Sequence, residues 1–345
     1  MNQSQDIIVQ PEPLREFAGA LYQKAGMSQE HAKLMASLQV ETDLRGVHSH
    51  GTRALPGYIR SMLKGDMNPK PEIKVVREGP GFAVIDGDNG LGHPPSALAM
   101  KMAIEKAKSS GIAAAGVHNA GHFGAAACYA MMAVDAKMIG FSTTNTGGPS
   151  VVAPGGATPV TANNAMSYAL PAGKERPIVL DTACAVSSWG KISTMRMYGL
   201  PVPPGWLLTA EGVPTEDPSQ GRMLMPAAGA KGYGLALIMG ILAGPLVGGL
   251  MACHKRGEPS EHFFIAMNVS SFTNFEEYAA EIDRGIRTIH ASKTAEGVER
   301  VYLPGEIEWL KREEWIANGI PLHIDHLRGL ASIAEELGVE ICWKW

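Results

Sequence analysis

Four of the 11 histidines lie in two short, glycine-flanked segments, Gly46-Val47-His48-Ser49-His50-Gly51 and His118-Asn119-Ala120-Gly121-His122-Phe123-Gly124. Imidazole titrates near neutrality, so a histidine held in such a loop can exchange a proton with a substrate hydroxyl or carbonyl oxygen. Ser49, beside His50, can orient that ring or bind the same oxygen. Two plainer roles fit the same residues: solvent-facing loop histidines, or metal ligation by His118 and His122. The second lacks a local carboxylate or third ligand, so no metal site is expected.

Three further segments could hold an anion. Thr143-Thr144-Asn145-Thr146-Gly147-Gly148 follows an apolar run, and its hydroxyls, amides and backbone N–H groups can converge on phosphate or ribose. Gly229-Ala230-Lys231-Gly232-Tyr233-Gly234 sets a cation at the start of a long apolar helix, where the helix dipole favours negative charge. Pro304-Gly305-Glu306 reads as a tight turn. Any one of these alone is also what an ordinary turn looks like. Neither Gly-x-Gly-x-x-Gly nor Gly-x-x-x-x-Gly-Lys-Ser/Thr occurs, which argues against a standard Rossmann or P-loop site. The absence of Gly-x-Ser-x-Gly and His-Glu-x-x-His argues against a serine hydrolase or zinc protease.

These segments must be positioned by the elements around them. Apolar spacing predicts helices across Pro13 to Arg45, broken at Gly26-Met27-Ser28 with Ser28 as a cap, and from Pro56 to Leu63, stopped by Gly65. Short strands are expected at Ile73 to Arg77, Phe82 to Asp86, Ile112 to Val117, Met138 to Thr143, Ile178 to Leu180 and Phe263 to Val269. Helices Ser96 to Ser109 and Ala125 to Lys137 fall among them, and Phe275 to His290, Glu308 to Ala317 and Ile324 to Leu337 close the chain. Alternating strands and helices imply an α/β sheet. We expect an α/β domain at 73–289 and a discontinuous helical domain at 1–72 and 290–345, built from both ends of the chain.

Composition sets the outer bounds. A chain of 345 residues with 45% hydrophobic and 19% charged residues is an ordinary globular protein of about two domains. A formal net charge of −4 supplies no surplus for nucleic acid or an anionic membrane, and no partner of either kind is expected. Cys128, Cys184, Cys253 and Cys342 form no Cys-x-x-Cys pair, which suits a reducing cytoplasm. Met1 to Arg15 is polar and shows no signal peptide. Gly232 to Cys253 is uncharged, but Gly244-Pro245 breaks it, so a buried core helix is expected there rather than a membrane span.

Taken together, the motifs resemble one family. Gly46-x-x-Ser49-His50-Gly51, His118-x-x-Gly121-His122-Phe123-Gly124, Thr144-Asn145-Thr146, Ala153-Pro154-x-Gly156, Asp181-x-Ala183, Gly190-Lys191-Ile192, Gly212-x-Pro214-Thr215-x-Asp217-Pro218, Lys231-Gly232-Tyr233-Gly234-Leu235-Ala236-Leu237 and Pro304-Gly305-Glu306 stand in its order and spacing. The chain resembles the malate/L-lactate dehydrogenase family that lacks a Rossmann fold. That resemblance implies a non-Rossmann NAD(P)-binding α/β domain with a mixed sheet. It also implies an NAD(P)-dependent oxidoreductase acting on a 2-hydroxy or 2-keto acid or related imine, as a homodimer with its site near the subunit interface.

By the same resemblance, proton transfer falls to His50 with Ser49, and His122 is a further catalytic candidate. The cofactor, NAD or NADP, would meet His122, Gly124, Thr144, Asn145, Thr146, Asp181, Thr182, Ala183, Lys231, Gly232, Gly305 and Glu306. The chain also departs from the pattern. The family's carboxylate-gripping arginine is replaced by Ala54, with Arg53 displaced by one, and Trp189 stands where an arginine commonly precedes Gly190-Lys191. Arg53 and Ala54 are therefore the substrate positions to watch, and poor activity on small 2-keto acids is expected. The competing reading is an inactive nucleotide-binding or regulatory homologue that has lost the substrate site.

Overall fold

The computed structural model describes residues 6–257 and 259–345. Residues 1–5, where the Met1–Arg15 stretch begins, lie outside the described residues. A seven-stranded sheet forms the centre, in the order Lys74–Gly79, Phe82–Gly90, Ile112–Ala120, Ser260–Asn268, Met138–Asn145, Met166–Leu170 and Ile178–Thr182. Only Phe82–Gly90 and Ile112–Ala120 pair in parallel, and each other neighbouring pair is antiparallel. The fold is thus α/β with a mixed sheet, as expected, and differs from the parallel array of a Rossmann domain. Asp6–Val9 pairs with Ile320–His323 in a second sheet, and five short strands between Val151 and Leu224 make a third.

The direction of the strands decides where the site can be. Two antiparallel steps separate Ile112–Ala120 from Met138–Asn145, and two more separate Met138–Asn145 from Ile178–Thr182. All three therefore run the same way. The loops leaving Ala120, Asn145 and Thr182 emerge at one edge of the sheet, although they are far apart in sequence.

Alternation along Ser260–Asn268 builds the layers on either side. Phe264 and Ala266 pack into a core with the His93–Ser110 helix, while Phe263 and Ile265 face the apolar helix Ala230–Ala243. Another core joins Leu14, Phe17, Leu21 and Met35 from the beginning of the chain to Leu322, Leu327, Leu330 and Ile333 from its end.

Local signals account for most boundaries. The first helices span Pro11–Lys24 and Gln29–Leu44, and the Ser28 hydroxyl accepts the His31 N–H at 3.2 Å. Leu55–Lys64 ends at Gly65 in the left-handed conformation. The apolar helix ends at Gly244, so its regular part is about 21 Å long at ~1.5 Å per residue. By length and composition Ala230–Val247 could cross a membrane, but the regular helix falls short of a hydrocarbon core of about 30 Å. Against expectation, this helix is buried on one face only, and Leu235, Ile238 and Ile241 are exposed on the other.

Two elements near the site were not anticipated by the apolar pattern. Met166–Leu170 is a five-residue strand with little apolar alternation. Trp189–Met197 is a helix that fully buries only Ile192, so it carries no apolar stripe to read.

Candidate active site

His50 sits in the loop between the Gln29–Leu44 helix and the Thr52–Ala54 turn, and a buried carboxylate holds that loop in place. Asp43 Oδ2 accepts the Thr52 N–H at 2.9 Å and the Thr52 hydroxyl at 2.6 Å, while Asp43 Oδ1 lies 2.9 Å from His48 Nδ1. His326 Nε2 is 3.0 Å from the Thr52 hydroxyl, whose own hydrogen is committed to Asp43, so His326 is the donor. Burial alone would raise the Asp43 carboxyl; the bonds and charges from His48, His326 and Thr52 outweigh it and hold the carboxyl below its usual range. Gln39 adds a bond from Nε2 to the Gly51 carbonyl at 3.1 Å. A Cβ on Gly51 would collide with the Asp43 carboxylate, so the close approach requires glycine.

Within this frame Ser49 Oγ lies 2.8 Å from His50 Nδ1. The His50 ring is 5.5 Å from that of His122, measured between centroids. His122 Nδ1 receives the Gly124 N–H at 3.2 Å and is 2.6 Å from the Tyr58 hydroxyl. A backbone N–H can only donate, so Nδ1 is an acceptor, the Tyr58 hydroxyl donates to it, and neutral His122 carries its hydrogen on Nε2. Neither His50 Nε2 nor His122 Nε2 has a protein partner among the described residues.

The electrostatics of the cluster are set by crowding. Burial, followed by the charges of His50 and His93, drives His122 well below the usual histidine range. Burial is also the main reason that His93 and His262 fall to about 3. His50 is lowered less far, by burial first and then by Arg53. Both His50 and His122 are surrounded by protein yet keep part of their surface exposed.

The expected cofactor residues divide into those that present themselves and those that are turned inward. Asp181 and Lys231 are exposed, and Thr146, Thr182 and Ala183 are partly so. Although the residue as a whole is exposed, the Asp181 carboxyl turns back onto the protein, where Oδ2 accepts the Ala127 N–H at 2.9 Å; local desolvation raises it to about 6 despite that bond, with Glu308 adding to the rise. Lys231 occupies the first turn of Ala230–Ala243 and has no bond or ion pair among the described residues. The loop after Asp181 is tied to that helix start by Ala227 N–H to Cys184 O at 3.0 Å and Gly232 N–H to Ala227 O at 2.9 Å.

The side chains of Thr144 and Asn145 face the interior. Thr144 Oγ1 is 2.8 Å from His262 Nδ1, and Asn145 Nδ2 donates to Glu261 Oε2 at 2.8 Å above the buried Lys255–Glu261 pair. What this turn offers a cofactor is backbone together with Thr146. Gly305 packs against Val179, and Val179 N–H donates to Pro304 O at 3.1 Å. The Glu306 carboxylate is committed to Arg300, to His290 at 2.9 Å and to the Leu303 N–H at 3.0 Å, so it shapes the turn. A cavity of about 340 Å³ lies beside it, lined by Lys174, Arg176, Ile178, His290, Pro304 and Trp309 among others.

His48 stacks on Trp315 at 5.6 Å, bound to Asp43, and has a supporting place. His118 lies on its strand opposite Asp86, outside the ring cluster. Among the described residues no group of three or more His, Cys, Asp or Glu is placed to hold a metal. Arg53 reaches the Trp189–Met197 helix, and Ala54 ends the turn beside it.

Sequence reasoning did not single out Asp43, Tyr58, Thr194, His262 or His326 as parts of the site. For Asp43, a polar residue at a buried helical position was the available signal. His262 lies in an apolar strand and offered none.

A family model described as malate/L-lactate dehydrogenase matches residues 9–331. A malate dehydrogenase of Pyrococcus abyssi is 36% identical over 342 residues, covering 95% of this chain and 94% of its own. An NAD(+)-dependent ureidoglycolate dehydrogenase of Escherichia coli K12 is 31% identical over 319 residues, covering 90% of this chain and 91% of its own. Among solved structures, malate dehydrogenase from Pyrococcus horikoshii OT3 superposes with a TM-score of 0.90 at 34% identity, over 98% of this chain and 97% of that one. All three are named as dehydrogenases, and none as a regulatory or inactive binding protein.

Proposed function

The chain belongs to the malate/L-lactate dehydrogenase family, and from that premise we propose that His50 is its proton donor and acceptor, with Ser49 and His122 beside it. The protein is an NAD(P)-dependent oxidoreductase acting on a hydroxy acid or the corresponding carbonyl or imine. The observation that carries the assignment is the pair of open Nε2 atoms on rings 5.5 Å apart. In the reductive direction His50 gives its proton to the carbonyl oxygen, and His122 Nε2–H holds that oxygen as negative charge develops. In the oxidative direction neutral His50 takes the proton from the hydroxyl. Ser49 orients the His50 ring from Nδ1.

The residues present fit a dinucleotide. Lys231 and the N-terminus of Ala230–Ala243 would bind the pyrophosphate. The Asp181–Ala183 segment, Thr146 and the backbone at Thr144 and Asn145 would bind ribose and amide groups, with Gly124, Gly232, Gly305 and Glu306 shaping the walls. When bound, nicotinamide supplies or accepts the hydride. The cavity beside Glu306 is our place for the adenosine end. Lys174 lines it, while Arg176 is paired with Glu313, so the lining's charge favours neither NAD nor NADP and a titration chooses between them. Fluorescence titration of metal-free protein with NADH and NADPH is expected to give saturable binding of at least one; folded protein that binds neither would reject the reading.

We also assign residues 1–72 and 290–345 to one helical domain and 73–289 to the cofactor domain. This division places His50 on the first and His122 on the second. The exposed face formed by Leu235, Ile238, Ile241, Leu246 and Leu250 supports a homodimer, since an apolar surface of this kind beside a site is best buried against a second copy. The four free cysteines support a cytoplasmic location.

A further inference from the structure

His262 is fully buried near the start of Ser260–Asn268, the strand that separates Ile112–Ala120 from Met138–Asn145. In the antiparallel ladder it stands opposite Thr144, so the two side chains share one face of the sheet. Against Ile112–Ala120 the pairing shifts register between Ser260 and His262, where that strand gives way to Gly121-His122-Phe123.

Both nitrogens of the ring are used. Nε2 lies 3.0 Å from the Gly121 carbonyl oxygen, and Nδ1 lies 2.8 Å from the Thr144 hydroxyl. A carbonyl oxygen only accepts, so Nε2 carries the hydrogen and donates it. Burial keeps the ring neutral, at about 3, which leaves Nδ1 to accept the Thr144 hydroxyl hydrogen. The Glu261 carbonyl, at 3.2 Å, is the more distant partner of that hydroxyl. The hydrogen bonds therefore run in one direction, from Thr144 to His262 to Gly121. His262 and Thr144 are both buried, so solvent does not compete for the bond between them.

The ring also holds the far side of the same loop. Phe123 stacks on His262 with centroids 4.5 Å apart and planes 5° from parallel, and Tyr129 stacks on Phe123 at 5.1 Å. His262 thus grips the residues on both sides of His122, Gly121 by a hydrogen bond and Phe123 by stacking. Gly92 is pressed against the hydrogen bond: a Cβ there would sit 2.3 Å from the Gly121 oxygen and 2.6 Å from His262 Nε2.

We propose that His262 is a positioning residue with two separable tasks: its Nε2 holds the loop that aims His122, and its Nδ1 holds the turn that presents the Thr144 and Asn145 backbone to the dinucleotide. The proposal rests on the hydride-transfer reading given above. His262 acts through those groups, and one buried ring sets the spacing between the oxygen-binding imidazole and the cofactor turn. Hydride transfer is sensitive to that spacing, because the reacting atoms must be held close and aligned.

The test uses the full chain, with pyruvate, oxaloacetate and phenylpyruvate as substrates and NADH and NADPH as cofactors. A glutamine amide nitrogen can stand where Nε2 stands, and an asparagine amide oxygen where Nδ1 stands, so each variant keeps one bond and loses the other. His262→Gln is expected to keep kcat within about threefold and to weaken dinucleotide binding about fivefold or more. His262→Asn should do the reverse. His262→Phe keeps a ring against Phe123 and removes both bonds, so both quantities should fall. In a His122→Ala background its effect on kcat should shrink to less than about twofold, because the group that His262 aims is gone. Thermal melts report folding, and every assay is run below the transition of the least stable variant. Wild-type values in His262→Phe, equal losses in His262→Gln and His262→Asn, or an undiminished effect of His262→Phe on kcat without His122 overturns the proposal while hydride transfer stands. A wild type that binds neither dinucleotide, or reduces none of the three compounds, overturns the functional reading and the proposal with it.

Discussion

At the scale of single residues, the proposed role of His50 rests on four rings of like chemistry in unlike surroundings. Burial, with the charges of neighbouring groups, drives His93 and His262 to about 3 and His122 well below the usual range, and His50 is lowered by burial and then by Arg53, which supports His50 as the proposed proton carrier. His50→Ala is therefore expected to lower kcat about a hundredfold or more while dinucleotide affinity changes only a few fold. His48→Ala should cost less, because His48 faces Asp43 and Trp315. Equal losses in steady-state assays of the two variants would reject the assignment. The sign of the pH dependence follows. Burial, then Arg53, lowers His50 below 6.5. Oxidation needs neutral imidazole, so its rate should hold across neutral pH and fall only as pH drops through that lowered value. Reduction needs the protonated ring and should decline as pH rises above it. An oxidation profile whose acid limb lies above pH 6.5 would contradict this.

At the scale of elements, the Gln29–Leu44 helix acts as a jig for the loop it feeds. Asp43, in its last turn, fixes both ends of the segment from His48 to Thr52, and His326 braces it from the Ile324–Leu337 helix. Asp43→Asn keeps the shape but removes the charge that its donors face. It is expected to cost about 1.5 to 3 kcal/mol of stability at neutral pH, and to lower turnover about tenfold or more by loosening the loop. Because folding depresses the Asp43 carboxyl below its ordinary value of 3.8, its stabilisation is present above that value and is lost as pH falls through the lower, folded one. Thermal melts of wild type and variant should differ at pH 7 and converge in strong acid. A constant difference across that range would argue against an ionised Asp43.

At the scale of the whole molecule, the apolar helix Ala230–Ala243 has two tasks. One face lines the sheet, its first turn offers Lys231, and its other face exposes Ile238 at 53% and, just beyond its end, Leu246 at 58%. Ile238→Asp should convert the expected dimer to a monomer in sedimentation equilibrium and reduce activity through the adjoining site. A wild type that is monomeric at micromolar concentration would refute the dimer.

Within the sequence, what was legible was local. The Phe275–His290 and Ile324–Leu337 helices stand where apolar periodicity and their flanking residues put them. The motifs around Ser49-His50 and His122 marked the segments that form the ring cluster. Periodicity, caps and turns act over a few residues, so a single chain displays them directly. The tertiary structure alone decided which segments meet. Thr144 finds His262 118 residues away, and Arg53 finds Thr194 141 residues away. The placement of Ser260–Asn268 between Ile112–Ala120 and Met138–Asn145 brings three separate loops to one sheet edge. Strand order is fixed by which faces bury each other most completely, and Trp189–Met197, with one fully buried side chain, has no stripe to announce its partner. The direction of the Arg53 side chain was settled by contacts on that unannounced helix, where rotation about the turn could not settle it.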